Sequence, residues 1–309
     1  MLALHIGLAL AQAWPAKPLK LVTPFPPGGS ADVIARLIGQ SLSEQLGQPV
    51  LIDNRPGAGG VVGNEYAAKQ PPDGYTLLLI TGAYPVQAAM LKSLPFDPLA
   101  DIAMVSLLTT YPFVISVRPD SRFRTLAELI AYAKANPGKL NYPSSGVGTV
   151  HHLSGELLNA MAGIEMVHVP FRGGASPLTE VLGGRVDLLL EAMTLSIGQI
   201  HAGKLRALAV TSPRRWAALA DVPTVAETVP GYEVNSFIGL GATGRTPQPL
   251  IERLNAEVRK ALERPQTHQR FVELGGAPGA STPDEMRAFI AREIDKWRRV
   301  VSLRKIEQQ

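Results

Sequence analysis

The stretch that most constrains this sequence is Leu19 to Leu46, where a strand, a Pro/Gly turn and the start of a helix follow one another with no spare residue. Leu19, Leu21 and Val22 read as a short buried strand. Pro24-Phe25-Pro26-Pro27 cannot continue a hydrogen-bonded ladder, and Gly28-Gly29 lets the backbone turn sharply. Val33, Ile34, Leu37, Ile38, Leu42 and Leu46 then recur at helical spacing until Gly47, which predicts an amphipathic helix closed by a glycine. The amides of Gly28 to Ala31 are expected to project unpaired from a helix N-terminus that no large side chain covers, an anion socket. Joints of this kind occur in every α/β protein, so alone this one favours structure over function.

The chain has 309 residues, 46% of them apolar and 18% charged, enough for two lobes with real cores. A net charge of +4 raises the question of nucleic acid. The basic residues are scattered, and the one dense patch, Arg292 to Lys305, is interleaved with acids on an amphipathic pattern, so no nucleic-acid partner is expected. Cysteine is absent, which excludes disulfides, thiolate metal sites and cysteine nucleophiles. Leu2 to Leu10 is a short apolar run, and Ala11-Gln12-Ala13 before Trp14-Pro15 is a small-residue cleavage pattern. Residues 1–13 therefore read as a secretory signal peptide, although no Lys or Arg precedes the apolar core. No apolar run approaches the roughly 20 residues of a membrane anchor, so a soluble protein outside the cytoplasm is expected.

Taken in order, Val50 to Asp53 is a second strand, and Asn54 to Gly60 a tight turn into a helix through Glu65 to Ala68. Its glycines miss the dinucleotide spacing by one residue, since Gly63 follows too late. Tyr75 to Ile80 is a continuous apolar strand, and Thr81 to Pro85 a further loop at the carboxyl edge where open α/β sheets bind ligands. Ile102 to Leu108 and Tyr111 to Val117 read as two extended segments, and Thr125 to Ala135 as a helix. The opening pattern then returns: Leu140 to Tyr142 is a strand, Pro143 to Thr149 a small-residue turn, and the residues to Met161 a helix, which makes a second anion socket. Strands follow at Val167 to Phe171, Val186 to Leu190 and Leu205 to Val210, with an Arg172-Gly173-Gly174 turn and a helix over Ala175 to Leu182 between the first two. Tyr232 to Leu240 is extended, and the remainder is helical over Leu250 to Leu262, Thr267 to Leu274 and Pro283 to Val301.

Most enzyme constellations fail on inspection. No nucleophile-elbow G-x-S-x-G and no P-loop occur, and the six histidines include no i, i+4 zinc pair. Adjacent His151 and His152 point in different directions on a helix, and His152 reads as a packing or hydrogen-bonding residue near a cleft rather than a base. Asp32, in a first helical turn, reads as a loop brace ahead of a ligand contact. Asp187 and Glu191 stay open between cleft and surface, and Arg172 reads as an exposed turn residue. What survives is a pair of Gly/Ser-rich helix starts, one per lobe. Facing each other, they would hold a carboxylate on backbone amides and on the hydroxyls of Ser30, Ser144, Ser145 and Thr149. A helix end contributes only about 0.3–2 kcal/mol, so several amides, both sockets and closure over the ligand would be needed. Neither a catalytic group, a cofactor nor a metal is required.

Five motifs in order carry a family resemblance: Pro24 to Asp32, Asn54 to Gly60, Asp73-Gly74-Tyr75-Thr76-Leu77, Ser144 to Thr149 with His152, and Val169 to Gly174. Together the chain resembles the Bug-type receptors of tripartite tricarboxylate transporters from about Pro15 to the last helix. The resemblance implies an α/β, two-lobe periplasmic binding protein of the type II, Venus-flytrap class, each lobe a mostly parallel sheet flanked by helices, joined by two crossover strands near Thr110 and Asn235. Lobe one would be residues 14–110 plus 236–309, and lobe two residues 111–235. The loops Phe25 to Asp32 and Ser144 to Thr149 would grip the carboxylate, giving Phe25, Pro26, Gly28, Gly29, Ser30, Asp32, Ser144, Ser145, Gly148, Thr149 and His152 as site residues, with Tyr84, Phe171 and Asp187 beside them. Phe237 departs from the family's frequent Trp, and Glu191 from its common Asp. The implied role is a monomeric periplasmic receptor that hands a di- or tricarboxylate, amino acid or aromatic acid to a membrane permease. A ligand sensor for a signalling partner, and a hydrolase or isomerase using Asp32, Ser145 and His152, stand as the alternatives.

Overall fold

The computed structural model describes residues 14–171, 176–304 and 306–308. The expected signal segment and the Arg172-Gly173-Gly174 turn lie outside the described residues. The elements run β1 (Leu19–Thr23), α1 (Ser30–Leu46), β2 (Val50–Asn54), α2 (Val61–Ala68), β3 (Thr76–Thr81), α3 (Ala83–Met90), β4 (Ile102–Val117), α4 (Leu126–Ala135), β5 (Asn141–Ser144) and α5 (Val150–Ala162). They continue through β6 (Val167–Pro170), α6 (Ser176–Leu182), β7 (Leu189–Ala192), α7 (Met193–His201), β8 (Arg206–Val210), β9 (Asn235–Thr243), α8 (Gln248–Glu263), α9 (Pro265–Glu273), β10 (Ala277–Pro278) and α10 (Pro283–Arg304).

The opening joint forms as its residues dictate. Helix α1 buries Ile34, Ile38, Leu42 and Leu46 and ends at Gly47, whose φ of 65° lets its N–H reach the Ser43 carbonyl at 3.1 Å. Strand β1 pairs in parallel with β2 and β3, and all six residues of β3 are buried, as a strand covered on both faces requires. The sheet is mixed: β9 lies antiparallel to β3, β4 antiparallel to β9, and β10 closes the edge on β4.

The two extended segments expected at Ile102 to Leu108 and Tyr111 to Val117 are one strand of 16 residues. Its pairing with β9 ends at Pro112 opposite Asn235, and from Phe113 it pairs antiparallel with β7 and β8 instead. Pro112 is tolerated because a strand changing partners needs no donor there. Strands β5 and β6 form a separate parallel pair. The structure is thus α/β with two lobes, β4 running from a first sheet that holds β1 into a second that holds β7 and β8, and β9 entering the first sheet at Asn235.

Two local expectations fail. Thr81 to Pro85 is not a loop: α3 starts at Ala83 and takes Pro85 into its first turn, where a missing N–H has no intrahelical partner to lose. Strand β7 begins three residues later than expected and runs straight into α7, a helix that the apolar spacing did not announce.

Candidate functional site

The α1 start is held from behind. Gly28 adopts φ +84°, and its N–H donates to Asp32 Oδ2 at 3.1 Å. Asp32 is 4% exposed and also receives Arg36 Nε at 2.9 Å, Arg36 Nη2 at 3.0 Å and Asn54 Nδ2 at 3.1 Å. Asn54 in turn donates to the Phe25 carbonyl at 3.0 Å. Burial pushes the Asp32 carboxyl up, but the bonds from Arg36, Gly28 and Asn54 and the Arg36 charge outweigh it and hold it below the usual carboxylate range. With Gly28 committed, the amides of Gly29, Ser30 and Ala31 make no hydrogen bond among the described residues, and the N-cap Gly29 has no side chain to satisfy them. All three residues line a cleft.

The α5 start is built differently, because its loop satisfies itself. Thr149 caps the helix by accepting from the His152 N–H, and its hydroxyl donates to the Gly146 carbonyl at 2.7 Å. The Ser144 hydroxyl, fully buried, donates to the same carbonyl at 3.0 Å, accepts from the Gly146 N–H at 3.1 Å and lies 2.6 Å from His168 Nε2. The Gly148 N–H donates to His152 Nδ1 at 3.3 Å, and the His152 ring stacks on His168 at 4.1 Å. Burial lowers the His152 pKa, and burial with the neighbouring His152 holds His168 down to about 4, so both rings are neutral at neutral pH.

Between the two loops lies a small cleft with a cavity volume of about 70 Å³. Phe25, Phe113, Val150 and Leu195 make its apolar walls. Among the described residues that line it there is no Lys or Arg. Its ionisable groups are Tyr111, His151 and Glu191. Burial raises the Tyr111 hydroxyl, bonds with Ser236 and Ser30 pull against that rise, and the Glu191 charge adds to it, so Tyr111 stays a neutral hydroxyl. His151 Nε2 is 2.8 Å from Glu191 Oε1, and His151 Nδ1 is 3.0 Å from Ser145 Oγ. The edge of the ring meets Phe113 at 4.9 Å. Ser30 of the first loop bonds directly to Thr194 of α7, so the two sides touch across the cleft.

Of the residues expected from sequence, Phe25, Gly29, Ser30, Ser145 and Thr149 line the cleft. Gly28, Asp32, Ser144, Gly148 and His152 do not: each spends its polar atoms shaping the loop that carries the others. Pro26 sits on the first loop outside the lining. Tyr84 is corrected to a core residue, because α3 turns it inward; it is 2% exposed and its hydroxyl donates to the Pro98 carbonyl at 2.9 Å. Phe171 packs against the core under α6, and its amide serves the Ser144 carbonyl at 2.9 Å. Asp187 is exposed and accepts from the Asn141 N–H at 2.9 Å, which ties it to β5 away from the cleft. The sequence reading missed Tyr111, Phe113, His151, Thr194 and Ser236. A usable signal existed only for Glu191, at the carboxyl end of a strand, the edge where open sheets place ligands.

The family model described as tripartite tricarboxylate transporter family receptor matches residues 34–306. The solved structure of the periplasmic binding protein BugD is 30% identical and superposes with a TM-score of 0.91, covering 96% of this chain and 100% of that one. R. palustris Rpa4515 with adipate is 36% identical with a TM-score of 0.91, covering 95% and 99%. MatC (Rpa3494) from Rhodopseudomonas palustris with bound malate is 31% identical with a TM-score of 0.88, covering 93% and 100%.

Proposed function

Because the chain belongs to the tripartite tricarboxylate transporter receptor family, we propose that it captures a small carboxylate in the cleft between its lobes and delivers it to the membrane permease subunits of such a transporter. One observation carries the reading: the amides of Gly29, Ser30 and Ala31, three residues that line the cleft, make no hydrogen bond among the described residues at the positive end of a helix of 17 residues. Adipate and malate in two similar structures are carboxylates, which supports the ligand class. We divide the protein into residues 14–110 plus 236–309 and residues 111–235, supported by the change of partners along β4 after Pro112. We place the receptor in the periplasm as a monomer, in keeping with the secretory reading of residues 1–13 and with the periplasmic binding protein it resembles. The site supports binding without a catalytic step. Asp32 is engaged by Arg36 and His152 by His168, so the hydrolase that would use them with Ser145 has no support.

The test is a thermal-shift screen on the full chain, unfolded and refolded to strip carried-over solute, against mono-, di- and tricarboxylates with their amides as controls. A ligand at one hundred times its Kd stabilises by about 2.7 kcal/mol. Shifts with acids and none with amides are expected; equal shifts with both would overturn the carboxylate reading.

A further inference from the structure

The two walls of the cleft have opposite hydrogen-bonding character. The α1 wall offers three free N–H groups. The opposite wall centres on Glu191, which is only 3% exposed and lines the cleft. Its Oε1 is used twice, by His151 Nε2 at 2.8 Å and by the Ala192 N–H at 2.8 Å. Its Oε2 has no partner among the described residues. That oxygen is not sealed off from solvent, so it stands open to a donor carried by a ligand that displaces water from it.

The neighbouring groups push the same way. Glu191 accepts only, so His151 Nε2 must carry the ring proton on that side. His151 Nδ1 and the Ser145 hydroxyl, 3.0 Å apart, are each other's partners. The Thr149 and Ser144 hydroxyls donate to the Gly146 carbonyl and are unavailable as donors to a ligand. With no Lys or Arg among the described lining residues, a ligand carrying two carboxylates would set its second charge beside that of Glu191 with no cation to offset it.

Resting on the carboxylate reading above, we propose that the cleft selects a zwitterionic amino acid, whose carboxylate sits on the Gly29 to Ala31 amides and whose ammonium is held by Glu191 Oε2. Net neutrality of the ligand is then what the cleft reads. His151 acts as a positioning residue that fixes the Glu191 carboxylate and engages the Ser145 hydroxyl.

The experiment is calorimetric titration of the refolded full chain with α-, β- and γ-amino acids, aliphatic and aromatic, each beside the des-amino acid, the hydroxy acid and the dicarboxylate of matching length. The proposal expects one amino-acid series to bind about tenfold or more tighter than its matched partners, the scale of one hydrogen bond to a charged group. Glu191→Gln keeps an oxygen for His151 and Ala192 but puts an N–H donor where Oε2 stood; it should erase that preference and shift it toward the dicarboxylate. The wild-type comparison needs no variant, so a Glu191→Gln protein that misfolds leaves the test intact. Des-amino acids, hydroxy acids or dicarboxylates binding as tightly as the amino acids would overturn the ammonium site and leave the carboxylate receptor standing. Silence across all four classes, or equal binding of acids and their amides, would overturn both.

Discussion

The two helix starts that face each other across the cleft look alike in sequence and do opposite work. Both follow a strand, both turn on glycine and serine, and both open a helix whose far end closes on a left-handed glycine, Gly47 or Gly163. At α1 the N-cap is Gly29, which has nothing to offer the first amides; at α5 it is Thr149, which caps its own helix. The first helix start is braced by carboxylate and side-chain contacts of Asp32, Arg36 and Asn54 that do not use its first amides, so that those amides stay available. The second is braced from within, by its own hydroxyls and by two stacked histidines, so its polar capacity is already spent. An anion socket is thus a helix end whose supporting contacts leave its donors alone, and a Gly/Ser composition does not reveal which kind a loop is.

Substitutions at the two caps should break this contrast most plainly. Gly29→Asp has the largest expected effect: Gly29 sits at φ −87°, ψ 172°, a conformation open to any residue, so the backbone admits an aspartate that can cap α1. The carboxylate then occupies the ligand's amides, and binding of every acid should fall at least a hundredfold while the melting temperature of the unliganded protein holds or rises. An unchanged affinity in calorimetry would move the anion seat off α1. Asp32→Ala comes next. It strips a partner from the Gly28 amide, which is exposed, and from the half-buried Asn54 side chain, so water replaces part of the loss and each bond removed costs about 0.5–1.5 kcal/mol, measurable as a lowered midpoint in urea with affinity reduced as the loop loosens. Thr149→Ala removes the self-cap and should cost about 0.5–2 kcal/mol of stability. Because Thr149 spends its hydroxyl on Gly146 and not on a ligand, affinity should change less than twofold; a loss on the scale of Gly29→Asp would show that the two starts share the anion after all.

The same contrast marks what was legible in the sequence. The α1 joint could be read residue by residue, since its Pro/Gly turn, apolar spacing and terminal glycine are all local signals, and the carboxylate reading grew from them. Asp32 was correctly weighed as a brace, because a first-turn acid has a local role whatever the fold. Tyr84 was misplaced because Pro85 looks like loop punctuation until its place in the first turn of α3 is known. The polar centre of the cleft was legible only in part: Ser145 was expected and Glu191 stayed open, but His151 and Tyr111 were not anticipated. Ser145, His151 and Glu191 meet only once α5 and β7 pack side by side, and Tyr111 reaches Ser30 only because β4 is one strand rather than two. Such contacts are set by topology, and one-dimensional spacing carries no trace of them.

The stacked pair behind the second loop gives the smallest effect and the sharpest separation of the two braces, because the braces titrate in different windows. His152 and His168 both have folded pKa values below the unfolded 6.5, His168 near 4. The unfolded chain therefore binds protons that the folded one refuses, so the stability these rings contribute is whole above about pH 6.5 and drains as the pH falls toward 4. Asp32 is also depressed, from 3.8, but its contribution survives until the pH drops below that value. Between pH 6.5 and 4 the α5 loop should weaken while the α1 loop keeps its brace. Hydrogen exchange followed down this range should show protection lost first at the amides of Gly146, Gly148 and Thr149, with that of Gly28 retained. A His168→Gln protein should show a weakened pH dependence of the α5 loop alone, the remainder coming from His152, and a loss of protection shared equally by both loops would mean that they are braced as one unit.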